Sequence, residues 1–251
     1  MIVLKSQAEL GIMHRANALV HDTLRLVAAN AKPGVATREL DEMAEEHIRS
    51  RGGIPAFKGY RGYPATLCTS INDVIVHGIP SAKQRLQEGD ILSIDCGVVL
   101  EGFVGDAAMT VPIGAIDAEA ERLLRVTREC LQLAVEVMRP KRRLTDVGDT
   151  IQRHAESAGY SVVRDLVGHG IGRAMHEDPQ VYNFGPAGRG PELRPGLVLA
   201  IEPMINSGKP GVIFDDDGWT ARTEDGKLSA HFEYSVAVTD DGPWVLGVDE
   251  R

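Results

Sequence analysis

Apolar residues recur at helical spacing in four stretches of this chain and at alternate positions in several shorter ones. Ser6-Gln-Ala-Glu9 reads as a capping box, and Met13, Ala16, Val20, Leu24 and Val27 then mark one face of a helix that Pro33-Gly34 ends. Thr37 is placed to cap a second helix, with Leu40, Ala44, His47 and Ile48 on one face and Gly52-Gly53 as its stop. Extended stretches are expected at Thr66 to Ile71, Asp90 to Val98 and Phe103 to Val111. From Asp117 the positions Ala120, Leu123, Leu124, Thr127, Leu131, Ala134, Val135 and Met138 return at helix period until Pro140. A fourth helix is expected from a Thr145 cap to Gly159, followed by strands near Leu197 to Ile205, Leu228 to Val238 and Trp244 to Val248. The order is thus helix-helix-strands, twice.

The repeat has an echo in the residues themselves. Gly89-Asp-Ile-Leu-Ser-Ile-Asp95 matches Gly196-Leu-Val-Leu-Ala-Ile-Glu202, each with an acid six residues after a glycine. Period-2 alternation puts Leu92, Ile94 and Cys96 on one face of the first strand and Leu199 and Ile201 on one face of the second, so Asp95 and Glu202 take the opposite faces. Glu233 falls on the polar side of a third strand, where Leu228, Ala230, Phe232, Tyr234 and Val236 alternate with Ser229, His231, Glu233 and Ser235. One such acid is ordinarily a solvated strand residue. These acids come with His77 in His-Gly-Ile-Pro, His169 in Gly168-His-Gly-Ile-Gly172 and His176 in a further loop, and glycine-flanked turns aim side chains. The pattern predicts one domain of two related halves with a site between them.

Composition narrows the chemistry. The chain has 251 residues, 43% of them hydrophobic and 25% charged, as expected of a folded soluble protein rather than a disordered one. Its formal charge of -9 argues against non-specific nucleic-acid binding, which the local run Lys141-Arg142-Arg143 does not reverse. The start of the chain carries no secretory signal, and no apolar run approaches the roughly 20 residues of a membrane span, so the cytoplasm is the expected compartment and no membrane partner is expected. Cys68, Cys96 and Cys130 are too far apart for a Cys-x-x-Cys zinc site, which leaves histidines and carboxylates as metal ligands.

The combination Asn72-Asp-Val-Ile-Val-His77-Gly-Ile-Pro80, Asp90-Ile-Leu-Ser-Ile-Asp95, Gly105-Asp106, Gly168-His169-Gly-Ile-Gly172, Ile201-Glu202-Pro203-Met204 and Ser229-Ala-His-Phe-Glu233 resembles type I methionine aminopeptidases, in order and spacing, from about Ser6 to Val245. The resemblance implies an α/β (α+β) pita-bread fold, two pseudo-symmetric halves around a central antiparallel sheet, as one catalytic domain over residues 1–251 without a separate N-terminal extension. It implies two divalent metal ions per chain, of Co, Mn, Fe or Zn, held by Asp95, Asp106, His169, Glu202 and Glu233. Four carboxylates in one pocket raise each other's pKa, and divalent cations cancel that charge. By the same resemblance His77 contacts the scissile amide, His176 donates to the carbonyl oxygen, and Glu202 moves a proton from water to the leaving nitrogen. Phe57, Tyr60, Tyr63, Cys68, Met175 and Trp219 line the methionine pocket, although Tyr60, Tyr63 and Cys68 read equally well as core. Asp215-Asp216-Asp217-Gly218, just before Trp219, lacks calcium-loop spacing and reads as a hairpin turn.

The implied activity is removal of the initiator methionine from nascent chains whose second residue is small, by a monomer that associates at most transiently with the ribosome. Four positions depart from the family pattern. Gly97 and Ala107 stand where a hydroxyl beside the aspartates is common, Met175 where an aromatic is, and His231 where glutamine is. Two rivals share the fold: a proline-directed aminopeptidase, for whose usual extra domain 251 residues leave no room, and a binding module without metals, which predicts damaged ligands. A Ser or Cys nucleophile lacks a Gly-x-Ser-x-Gly elbow, and Cys96 is predicted to face the core.

Overall fold

The computed structural model describes residues 1–248; residues 249–251, the end of the expected domain, lie outside the described residues. Among the described residues the α-helices are α1 (Gln7–Asn30), α2 (Thr37–Ser50), α3 (Ala118–Glu136) and α4 (Leu144–Ser157), and Tyr60–Gly62 forms one 3-10 turn. The strands are β1 (Ile54–Pro55), β2 (Leu67–Ile71), β3 (Val74–Val76), β4 (Ile91–Leu100), β5 (Phe103–Pro112), β6 (Ser161–Val162), β7 (Gly168–Gly170), β8 (Glu177–Val181), β9 (Val198–Ile201), β10 (Met204–Asn206), β11 (Val212–Phe214), β12 (Ala221–Thr223), β13 (Ser229–His231), β14 (Glu233–Thr239) and β15 (Gly242–Val245). The main sheet runs β1-β4-β5-β14-β9-β7-β8, with β2 on β4 and β15 on β14, and every pairing is antiparallel. Two three-stranded sheets, β13-β10-β6 and β11-β12-β3, flank it.

The apolar stripes read from the sequence become two main cores, while Met13 of α1 joins a third with Leu10, Phe103, Ile171 and Val198. Leu19, Val20 and Leu24 of α1 and Leu40 and Ile48 of α2 pack on Leu92, Ile94 and Cys96 of β4. Leu123, Leu131, Val147 and Ile151 of α3 and α4 pack on Leu199 and Ile201 of β9. These are the two expected halves, each a helix pair over an acid-bearing strand. Their echoing glycines, Gly89 and Gly196, both have left-handed φ, 92° and 89°, a conformation that glycine adopts without Cβ strain as the chain turns into each strand.

Three local expectations are corrected. Ser6 does cap α1, its Oγ accepting from the Glu9 N–H, but Thr37 and Thr145 lie inside their helices, after Ala36 and Arg143. Their hydroxyls are used elsewhere, donating to the carbonyls of Ser81 and Arg189. On α2 the buried polar residues are Thr37 and Asp41, not His47. The long strands at 197–205 and 228–238 are each interrupted, at Glu202-Pro203 and at Phe232. Proline has no N–H for the ladder, and the Phe232 N–H meets the Pro203 carbonyl at 3.4 Å, so both strands leave the main sheet for the β13-β10-β6 sheet at one level. The segment Asp215 to Thr220 closes a hairpin between β11 and β12, as the acidic turn suggested.

Candidate active site

The double interruption positions two of the acids. Glu202 directly follows β9 and Glu233 opens β14, so both stand where the chains switch sheets, while Asp95 of β4 and Asp106 of β5 lie on neighbouring strands. His169 occupies the middle of the short β7, paired with Ala200. The ligand atoms of Asp106, His169 and Glu233 all lie within 4.8 Å of one another. His169 Nε2 is 4.0 Å from Asp106 Oδ2 and 3.6 Å from Glu202 Oε1. These spans are too long for direct hydrogen bonds and suited to side chains arranged around a shared cation.

The donor set fits divalent metal. Asp95 Oδ1, Asp106 Oδ1 and Glu233 Oε1 are buried without a hydrogen-bond partner, a costly arrangement unless something positive meets them. Burial pushes Asp95 up to about 7. It raises Asp106 well above the usual range, reinforced by the charges of Asp95 and Glu202, and Glu202 and Glu233 rise in the same way. His169 Nδ1 lies 2.9 Å from the Gly170 carbonyl, which fixes the proton on Nδ1 and turns the Nε2 lone pair into the cluster. Burial brings His169 down to about 4, so the ring is neutral at pH 7 and free to ligate.

Above the acids is a cavity of about 190 Å³, lined by every residue to which the resemblance gives a catalytic, substrate-binding or metal-ligating role; Gly97, Ala107 and His231 do not line it. Phe57, Tyr63, Cys68, Met175 and Trp219 give it apolar walls, with the Trp219 ring edge-on to Tyr63 at 5.0 Å and to His77 at 6.3 Å. The β11–β12 hairpin fixes Trp219, since Asp217 Oδ1 accepts from the N–H groups of Trp219 and Thr220, each at 2.8 Å. His77 follows β3 with φ 61°, a left-handed conformation that a non-glycine residue adopts at a cost and that aims it into the cavity. The Tyr60 hydroxyl meets His176 Nδ1 at 2.8 Å, leaving Nε2 for the cavity. Burial and the Arg61 charge lower His176, and burial lowers His77 to about 4. Cys68 and Cys96 are buried thiols whose pKa burial raises, the reverse of what a cysteine nucleophile needs.

Several residues that sequence reasoning passed over hold this arrangement. Arg61 lines the cavity mouth with its guanidinium 5.4 Å from the centre of the Tyr60 ring, and its φ of 48° has no counterpart in periodicity or spacing. Asn17 of α1 accepts the Asp106 N–H through Oδ1 at 3.1 Å, and the Ser235 hydroxyl donates to the Asp106 carbonyl at 2.9 Å, fixing that aspartate's backbone from both sides. Asp41 accepts the N–H groups of Thr66 and Leu67 at 2.9 and 2.8 Å, anchoring the strand that carries Cys68. His231, one of the departures, is fully buried with Nε2 3.8 Å from Glu202 Oε2 and 4.0 Å from Glu233 Oε2, and neither ring nitrogen has a partner.

Comparison with known proteins places this geometry in a family. Residues 11–240, which include every candidate site residue, match the family described as metallopeptidase family M24. The chain is 50% identical over 250 residues to the methionine aminopeptidase of Clostridium acetobutylicum, covering 100% of both chains. It superimposes on the crystal structure of methionine aminopeptidase from Thermotoga maritima with a TM-score of 0.98 and 42% identity, over 99% of this chain and 100% of that one. The prolidase from Pyrococcus furiosus is similar in fold alone, with a TM-score of 0.79 at 21% identity, and the chain covers 66% of it. No described helix is long and apolar enough to cross a membrane.

Proposed function

The chain belongs to metallopeptidase family M24, and within it to the methionine aminopeptidases, and from that premise we propose that it removes the N-terminal methionine of peptides and nascent proteins whose second residue is small. The observation that carries the reading is the junction of two environments: unpartnered carboxylate oxygens at the floor of a cavity whose walls are apolar and whose volume, about 190 Å³, suits one side chain. We place two divalent ions on Asp95, Asp106, His169, Glu202 and Glu233. When bound, such ions polarise a peptide carbonyl and make hydroxide available from water at neutral pH.

The chain's own groups supply the rest. Phe57, Tyr63, Cys68, Met175 and Trp219 take the thioether side chain, and the acids below receive the free α-amine, which restricts cleavage to the first residue. Tyr60, by donating to Nδ1 of His176, leaves the proton of that ring on Nε2, where it donates to the carbonyl oxygen as charge develops there. His77, neutral at pH 7, contacts the leaving amide nitrogen. Glu202 accepts the proton of the attacking water and returns it to that nitrogen. The cytoplasm, where nascent chains emerge, is the compartment this activity requires, and a single-domain monomer acting transiently at the ribosome is the simplest form of it.

The test is hydrolysis of Met-Ala-Ser and Ala-Pro-Ser by metal-stripped protein titrated in turn with Co, Mn, Fe(II) and Zn. Metal-dependent release of methionine from the first peptide alone is expected. Cleavage of the second alone reassigns the chain to proline-directed chemistry, and inactivity without tight metal binding makes it a binding module.

A further inference from the structure

Gly97 lies in β4, two residues beyond Asp95 and opposite Asp106 in the register with β5. It is a glycine without left-handed φ, so its backbone conformation is open to any residue, and space alone demands glycine there. A Cβ at this position meets Phe57 Cε1 at 2.6 Å, Met175 Cε at 3.0 Å and Phe57 Cδ1 at 3.1 Å, the first closer than real Cβ contacts come. Both side chains line the cavity. The missing hydroxyl noted from the sequence thus has a physical counterpart: the ring of Phe57 occupies the space a side chain at 97 needs.

We infer that Gly97 sets the shape of the side-chain pocket by letting Phe57 and Met175 lie flat against β4, and that the three residues act as one specificity-determining unit. The inference rests on the reading that this cavity receives the side chain of the first residue. Phe57 cannot retreat along the backbone, because the Ala56 N–H donates to the Gly97 carbonyl at 2.9 Å and Pro55 pairs with Val98. The ring also joins Met175 and its neighbours to the trio Tyr63, Ala65 and Cys68, so an added methyl at 97 drives it away from β4 and toward the cavity. A narrower pocket disfavours methionine relative to a shorter side chain. The Phe57 carbonyl accepts the Tyr60 N–H at 2.9 Å, so the same displacement reaches the turn that holds His176.

The experiment compares peptides beginning with methionine and with 2-aminobutyrate, each followed by Ala-Ser, on wild type, Gly97→Ala, Phe57→Leu and the double variant. Gly97→Ala is expected to lower the ratio of kcat/KM for methionine over 2-aminobutyrate by about tenfold or more, the scale of a methylene misfit in an apolar pocket. Metal affinity, followed by calorimetry, is expected to stay within twofold, which separates pocket reshaping from damage to Asp95 or Asp106. Adding Phe57→Leu to Gly97→Ala is expected to restore the ratio, and Phe57→Leu alone to raise cleavage after ethionine relative to methionine. An unchanged ratio in Gly97→Ala overturns the inference, as does a loss that Phe57→Leu does not relieve. Should Gly97→Ala fail to fold, the Phe57→Leu shift toward ethionine decides the matter, and its absence overturns the inference. If the wild type cleaves neither peptide, the proposed function falls and the unit is judged by calorimetric binding of L-methioninamide and L-2-aminobutyramide, where the same tenfold change is expected and equal affinities overturn it.

Discussion

A proposed metal ligand that costs stability when metal is withheld has an unusual mutational signature, and Asp95 is the place to read it. Burial lifts its carboxyl from 3.8 to about 7, so the folded, metal-free chain holds this proton more tightly than the unfolded chain does. Its favourable contribution is complete below about pH 4 and is lost as pH rises through about 7. At about 1.4 kcal/mol per pH unit, the ionised group costs metal-free protein on the order of 4 kcal/mol at pH 8. Asp95→Asn removes that cost and introduces an amide whose unpaired N–H groups cost about 1–3 kcal/mol, leaving a net gain of roughly 1–3 kcal/mol. For a chain of this length that is a rise in Tm of roughly 2–12 °C. The assay is thermal unfolding followed by circular dichroism, in EDTA at pH 8 and pH 4 and again with Mn or Co. The variant is expected to melt above wild type in EDTA at pH 8, to lose that lead at pH 4, and to fall below wild type once metal is added. A variant less stable than wild type in EDTA at pH 8 refutes the reasoning, because Asp95 would then be an ordinary structural acceptor.

Other perturbations separate the roles within the site. His77→Ala is expected to retain metal and lose most turnover, whereas Asp106→Ala and Glu233→Ala lose metal and activity together; equal metal content in all three by atomic emission contradicts the ligand assignment. Tyr60→Phe removes the partner of His176 Nδ1 and is expected to lower kcat about tenfold, one hydrogen bond's worth, with KM and metal content little changed; steady-state kinetics with unaltered kcat counts against the tautomer argument. Asp41→Ala strands the N–H groups of Thr66 and Leu67 and is expected to cost about 2–5 kcal/mol in urea unfolding, an outcome excluded if the midpoint does not move.

The helices and main strands were legible because each buries one face, and burial writes its period into the sequence: the stripe from Met13 to Val27 and the alternation of Leu92, Ile94 and Cys96 reappear as the inner faces of α1 and β4. The meeting of the candidate residues in one cavity was legible for a different reason, the short motifs around them. What stayed hidden depends on partners distant in sequence. Nothing near residue 17 announces that Asn17 will accept the Asp106 N–H, and nothing near Arg61 announces a left-handed residue at the cavity mouth. Thr37 and Thr145 carried the right chemistry for caps, and tertiary acceptors at Ser81 and Arg189 took their hydroxyls instead. Gly97 read as a missing hydroxyl, since sequence shows the absence of a side chain but not the ring that fills its place.

The placement of Glu233 explains why the two halves cannot separate without dismantling the site. β14 touches β5 through only two register pairs, Glu233 with Ala108 and Tyr234 with Ala107, before it continues along β9 from Tyr234 to Ala237. The strand therefore crosses from the half that carries Asp95 and Asp106 to the half that carries His169 and Glu202, and its first residue is the acid at the crossing. Ionised, the four carboxylates repel one another, and that repulsion acts across this short β5–β14 seam of two register pairs. A cation shared between the halves turns the repulsion into attraction at the same seam. Metal is then expected to act as a cross-brace as well as a reagent: hydrogen exchange of the β14 amides near Tyr234 should slow on metal binding far more than exchange in the α2 and α4 interiors, each packed within a single half. Uniform slowing across all these elements would instead mean that metal stabilises only the global fold and that the seam opens no more readily than the cores.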